Sequence, residues 1–77
     1  MPLFHFNSRT GDMVLPDPVG EELPNVAAAR EVAIASARET LIEAVKKTQD
    51  TPPDCIQVTD CDGQEVVTIF LADLLRN

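Results

Sequence analysis

Hydrophobic and polar positions alternate with period two at both ends of this chain and follow a helical period in the middle. Residues 3–7 run Leu3, Phe4, His5, Phe6, Asn7, which puts Phe4 and Phe6 on one face and Leu3, His5 and Asn7 on the other. Ser8-Arg9-Thr10-Gly11-Asp12 is turn chemistry, and Met13-Val14-Leu15 reads as a short return strand, so an N-terminal hairpin is expected. The stretch from Pro16 to Pro24 reads as a rigid loop. Its three prolines forbid a ladder or a helix interior, Gly20 supplies an unusual backbone angle, and Asp17 can cap a turn.

Asn25 is a good N-cap for a helix that starts at Val26 and ends at about Thr48, before the Pro52-Pro53 stop. Helical spacing collects Val26, Ala33, Ile34, Ala37, Leu41, Ala44 and Val45 on one face. Ala33 and Ala37 let a sheet come close, while Ile34 and Leu41 fill space beside them. Glu43 and Lys47 form an i,i+4 pair, and Lys46 and Lys47 suit the negative end of the helix dipole. A second line, Ala28, Ala35 and Ile42, recurs every seven residues on the opposite side, with Val32 nearby. It reads either as a contact for a second chain or as plain helix propensity with one scattered exposed isoleucine.

A loop, Gln49-Asp50-Thr51-Pro52-Pro53-Asp54, precedes strands over Cys55–Thr59 and Glu65–Phe70. Asp62-Gly63 between them signals a two-residue hairpin turn with positive φ at both central residues. The matching register sets Val58 against Val67 and Ile56 against Ile69 on one face. On the other face it sets Thr59 against Val66, Gln57 against Thr68 and Cys55 against Phe70. Leu71-Ala72-Asp73-Leu74-Leu75 adds a final helical turn at the core edge. The expected fold is therefore a single α+β domain over residues 1–77: an N-terminal β-hairpin, one long α-helix and a C-terminal β-hairpin, with the helix packed on one face of an antiparallel sheet. Its core should hold Phe4, Phe6, Val26, Ala33, Ile34, Ala37, Leu41, Ile56, Val58, Val67 and Ile69.

Composition narrows the function. With 77 residues and 44% apolar content the chain is foldable but small, and a second copy or a partner would stabilise it. A net charge of −7 repels nucleic-acid backbones and anionic membranes, so neither is expected as a partner. The same charge suits a basic protein partner, or simply solubility. Met1-Pro2-Leu3-Phe4-His5-Phe6 passes at once into polar residues with no signal-peptide core, which points to a cytoplasmic protein. Cys55 and Cys61 lie six residues apart on or just past one strand. An extended chain separates them by roughly 20 Å, too far for a disulfide.

Chemistry is sparse. Asp60-Cys61-Asp62-Gly63 after an apolar strand resembles the opening of haloacid-dehalogenase-type phosphatases, where the first carboxylate attacks phosphorus and the second manages the proton beside magnesium. That chemistry also needs a lysine, further acidic ligands and a surrounding Rossmann-like domain, for which the 14 residues after Gly63 leave no room. A hairpin turn explains the same residues. As a calcium loop with Gly63 sixth, the motif would put Val58 first and Ile69 twelfth, where carboxylates are required. The single His5 has no second histidine or nucleophile at a readable spacing, and the three glycines are isolated, so no phosphate loop exists. Neither an enzyme, a cofactor nor a metal site is expected.

Taken together, the residues resemble a family of short bacterial proteins known only as a domain of unknown function. The likeness runs through Met1-Pro2-Leu3-Phe4-His5-Phe6, Asp17-Pro18-Val19-Gly20-Glu21-Glu22-Leu23-Pro24, the alanine-rich helix from Ala27-Ala28-Ala29-Arg30 to Ala37-Arg38-Glu39, and Val58-Thr59-Asp60-Cys61-Asp62-Gly63. The family's first strand often carries consecutive aromatics, which His5 interrupts here. The segment Gly20–Leu41 is also similar to small antitoxins of the HicB type, which place a strand pair before an acidic, proline-bearing loop and a helix rich in Ala and Glu. This likeness implies an acidic inhibitor that grips a basic protein. The leading expectation is a non-enzymatic protein-binding or structural module that self-associates or holds another protein; the alternative is the antitoxin-like inhibitor. Leu3, His5, Val66 and Phe70 on the rear of the sheet, and Ala28, Ala35 and Ile42 on the outer helix, are the candidate contact residues.

Overall fold

The structure, a computed structural model, describes residues 1–46 and 52–75, the side chain of Val45 excepted. In chain order it runs β1 (Leu3–Thr10), β2 (Met13–Leu15), β3 (Glu21–Glu22), α1 (Val26–Lys46), β4 (Cys55–Thr59), β5 (Glu65–Phe70) and α2 (Leu71–Leu74). The strands form one antiparallel sheet in the order β2-β1-β4-β5, with β3 also pairing with β1, and α1 packs on one face. This is the α+β architecture read from the sequence. The expected helix end at Thr48, the Glu43–Lys47 pair, the loop residues Gln49, Asp50 and Thr51, and the core place of Val45 lie outside the described residues.

β1 is longer than the alternation of residues 3–7 suggested. Ser8, Arg9 and Thr10 pair with Leu15, Val14 and Met13 on one side, and Ser8 and Arg9 pair with Ile56 and Cys55 on the other. Ladders on both sides outweigh the turn preference of these side chains, and the turn shrinks to Gly11-Asp12. Gly11 has φ +59° at the first of the two loop positions, as a type II′ turn requires. Its N–H donates to the Asp54 carboxylate at 2.8 Å.

The outer edge of β1 is shared among three segments. β2 takes its C-terminal part and β3 takes Leu3 and Phe4. Between them the Phe6 N–H, left without a strand partner, donates to Asp17 Oδ2 at 3.2 Å. The proline loop thus does hold a ladder, contrary to expectation, because Glu21 and Glu22 lie between its prolines rather than on them.

Asn25 caps α1 as expected: its Oδ1 accepts the Ala28 N–H at 2.8 Å. The fully buried stripe is Ala29, Ala33 and Ala37, one residue per turn, flanked by the half-buried Ile34 and Leu41. Val26, expected in the core, is 45% exposed, and Ala29 takes its place. Angle fixes the side of a helix but not the depth, and Val26 is the first helical residue, one turn before the buried stripe begins. Methyl side chains let the backbone of α1 lie close over Ile56, Val58 and Ile69, which come from β4 and β5. Leu71, the first residue of α2, closes the core edge.

The β4–β5 hairpin keeps the expected pairs of Cys55, Ile56, Gln57 and Val58, but Thr59 faces Glu65 rather than Val66. The turn is the cause. Only Gly63 has positive φ (+82°), Gly63 N–H donates to the Asp60 carbonyl at 3.0 Å, and Asp60 N–H donates to the Gln64 carbonyl at 2.9 Å. This is a type I turn followed by a left-handed glycine, not a two-residue turn with two positive φ angles. Such a loop feeds one extra residue into β5, and the bulge falls at Val66.

Candidate protein-interaction surfaces

On the rear of the sheet, away from α1, the apolar set read from the sequence does not form one patch. The bulge turns Val66 toward the core cluster, where it packs partly buried. Leu3 is half-buried at the N-terminal end of β1. Phe70, 45% exposed, sits across from Cys55, which in turn faces Arg9. Six residues along β1 place Leu3 and the Arg9 position roughly 20 Å apart. Polar side chains fill the interval; Asn7 Nδ2 donates to Thr59 Oγ1 at 3.2 Å. Cys55 is fully buried between Arg9 and Phe70, a rear-face position the sequence pattern did not mark as core. It does not pair with the exposed Cys61, in keeping with their spacing.

His5 is half-buried against the proline loop. Its Nδ1 lies 2.8 Å from the Asp17 carbonyl, which can only accept, so Nδ1 carries the proton. Gly20, with φ +77°, lies so close that a Cβ there would meet the His5 ring and the Phe4 carbonyl at 3.0 Å. Asp17 organises this junction. Its Oδ2 takes the Phe6 amide, its Oδ1 takes the Val19 and Gly20 amides at 3.1 and 3.2 Å, and its own N–H donates to Asn7 Oδ1 at 2.9 Å. Burial pushes the Asp17 carboxyl up, but the three amide donors, helped by His5, outweigh it and hold the carboxyl below its ordinary value. His5 therefore ties a loop to β1.

On the helix, Ala28 is half-buried while Ala35 and Ile42 are exposed, Ile42 by 55%. Ile42 does not stand alone. With Leu41, Leu74 and Leu75 it lines an open apolar groove of about 450 Å³ between α1 and α2, and Arg38 and Lys46 also border it. Leu74 and Leu75 are the residues the interaction reading missed. Their signal was the spacing of Leu71, Leu74 and Leu75 in the last helical turn, which that reading assigned wholly to the core.

At the β4–β5 turn, Asp60 Oδ1 accepts the Asp62 and Gln64 amides, both at 2.9 Å. The Asp-x-Asp-Gly sequence is thereby accounted for as turn chemistry. Among the described residues, no group of three or more His, Cys, Asp or Glu side chains is placed to share a metal ion, and no helix is long and apolar enough to cross a membrane.

A family model described as a domain of unknown function, DUF6894, matches residues 3–72. The chain belongs to this family. The match begins with β1 and ends inside α2, so the DUF6894 pattern spans the sheet, the capped alanine helix and the C-terminal hairpin as one unit. No curated protein and no solved structure matches the chain.

Proposed function

We propose that this DUF6894 chain is a non-enzymatic protein-binding module that works in the cytoplasm and forms homodimers. The observation that supports this reading is the apolar groove of Leu41, Ile42, Leu74 and Leu75, bordered by Arg38 and Lys46. It places exposed leucine and isoleucine side chains side by side on a chain whose net charge is −7. A contiguous apolar patch rimmed by polar groups is a contact surface rather than a scatter of exposed residues. Two cations bordering it favour an occupant that carries carboxylates.

The test uses Ile42→Asp and Leu75→Asp, two exposed positions where a carboxylate does not enter the core. Both variants should keep the thermal midpoint that the wild-type chain shows at dilutions where it is monomeric. Both should lose the self-association, or the captured protein, that the wild-type chain shows in sizing and cross-linking. Retention of every contact by both variants would remove the groove from the proposal.

A second reading, inhibition of a basic protein, draws support from Glu21 and Glu22, which lie exposed on β3 at the side of the sheet remote from β5. A partner held there would be lost on Glu21→Lys with Glu22→Lys and kept on Ile42→Asp.

A further inference from the structure

At one end of the sheet Arg9, Cys55 and Phe70 lie side by side on β1, β4 and β5. A cavity of about 580 Å³ opens there, walled in part by Leu41 of α1, by Pro52 and Pro53, and by Leu71 and Leu75. It is distinct from the groove between α1 and α2, although Leu41 and Leu75 border both. The prolines carry no N–H, and the backbone beside them is already engaged. The Asp54 N–H donates to the Arg9 carbonyl at 2.7 Å, and the Leu71 N–H donates to the Asp54 carbonyl at 3.1 Å.

Among the described residues, two charged side chains border this cavity, Arg9 and Asp54. Asp54 is occupied elsewhere, since its Oδ2 accepts the Gly11 N–H at 2.8 Å. The Arg9 Nε, by contrast, is closed off from solvent and meets no acceptor among the described residues. Buried donors in folded proteins are nearly all paired, and one on a charged group is costly to leave unmet.

We propose that the cavity binds a small apolar carboxylate, with its anion on the Arg9 guanidinium. Arg9 as a whole is only half-buried, and a turn of its flexible stem presents the Nε–Nη edge to the cavity. A carboxylate docked on that edge takes two parallel N–H bonds and supplies the acceptor that the Nε lacks. The leucine and proline walls call for an apolar body, and the volume falls in the range of small-molecule sites. Charge selects a carboxylate over a phosphate. One guanidinium beside the Asp54 carboxylate, on a chain of net charge −7, tolerates a monoanion better than a dianion. The site is separate from the protein-binding reading above and does not depend on it.

The experiment titrates the isotope-labelled full chain with octanoate at pH 7, with octanol as the uncharged control and inorganic phosphate as a competitor, and follows amide and arginine Nε–H resonances. Octanoate should move the Arg9 Nε–H resonance and the Asp54, Leu71 and Ala72 amides in a saturable way, and should bind at least tenfold more tightly than octanol. Arg9→Met keeps the stem without the charge and should erase that preference. Arg9→Lys keeps the charge without the planar fork and should weaken octanoate several-fold. Ile42→Asp, in the neighbouring groove, should leave octanoate binding within about twofold of wild type. Thermal melts establish that each variant folds.

The absence of saturable shifts up to about 10 mM octanoate overturns the proposal. So does octanoate binding no tighter than that of octanol, or binding that Arg9→Met and Arg9→Lys leave unchanged. Displacement of octanoate by inorganic phosphate overturns the choice of carboxylate. Shifts centred on Arg38, Ile42 and Lys46 that vanish on Ile42→Asp overturn this site and move the ligand to the groove, which then remains a contact surface.

Discussion

Removing the Asp17 carboxylate tests the β1 edge directly. Three amides converge on it, but they do not count equally. The Val19 amide is exposed and can turn to water, whereas the Phe6 and Gly20 amides are part-buried. Phe6 is held between the β2 and β3 ladders and cannot shift to find another acceptor. Leaving such a donor unmet costs about 1–3 kcal/mol, so Asp17→Ala should destabilise the fold by that amount at neutral pH. For a domain this small, the thermal midpoint should fall by roughly 5–20 °C. Asp17→Asn should fall near the lower end, because its Oδ1 still accepts two amides while its Nδ2 meets the Phe6 N–H donor to donor. The pH dependence has a definite sign. The folded Asp17 carboxyl lies below its ordinary value of 3.8, so its contribution is complete above that value and is lost as pH falls through the folded value. Urea melts of wild type and Asp17→Asn should therefore differ at pH 5 and above and converge as pH falls into stronger acid. Carboxyls remote from Asp17 protonate in both proteins and drop out of the difference. Equal midpoints at pH 7, or a gap that stays open in strong acid, would refute the reasoning.

Ala37→Leu forces three extra carbons into a fully buried site and should cost about 1–3 kcal/mol, while Ala35→Leu on the exposed side of the same helix should stay within about 0.5 kcal/mol; urea midpoints measure both. Asn25→Ala should lower stability by about 1 kcal/mol through loss of the Ala28 cap, seen as fraying of the first turn in amide exchange. Gly63→Ala meets no atom within 4 Å and should cost only the left-handed backbone penalty of about 1 kcal/mol. Gly20→Ala adds contact with the Phe4 carbonyl and the His5 ring, so its thermal midpoint should fall further than that of Gly63→Ala.

Much of the fold was legible because each element carries its own local signal. Asn25 marks the helix start, the prolines bound the loop, and Val58/Val67 and Ile56/Ile69 set a register that holds. What escaped depends on groups distant in sequence. Ser8–Thr10 look like a turn until β2 and β4 pair on either side of them. Whether one or two residues of Asp62-Gly63 take positive φ decides the face of Val66, and both turns fit the same dipeptide. The Asp17 junction joins residues ten to twelve positions apart through a side chain in a strand's place, which no periodicity encodes. The groove escaped because Leu74 and Leu75 acquire meaning only beside Ile42.

The placement of β1 beside β4 also sets the order in which the chain can assemble. Their pairs, such as Phe6 with Val58, close a loop of about fifty residues, whereas β4 and β5 meet across a tight turn. Loop-closure entropy makes the first about 2 kcal/mol harder to form than the second. The C-terminal hairpin and the capped helix are the local structures available early, and β1 docks onto β4 afterwards, bringing β2 and β3 with it. β1 is thus completed only after β4, about fifty residues further along, has been made.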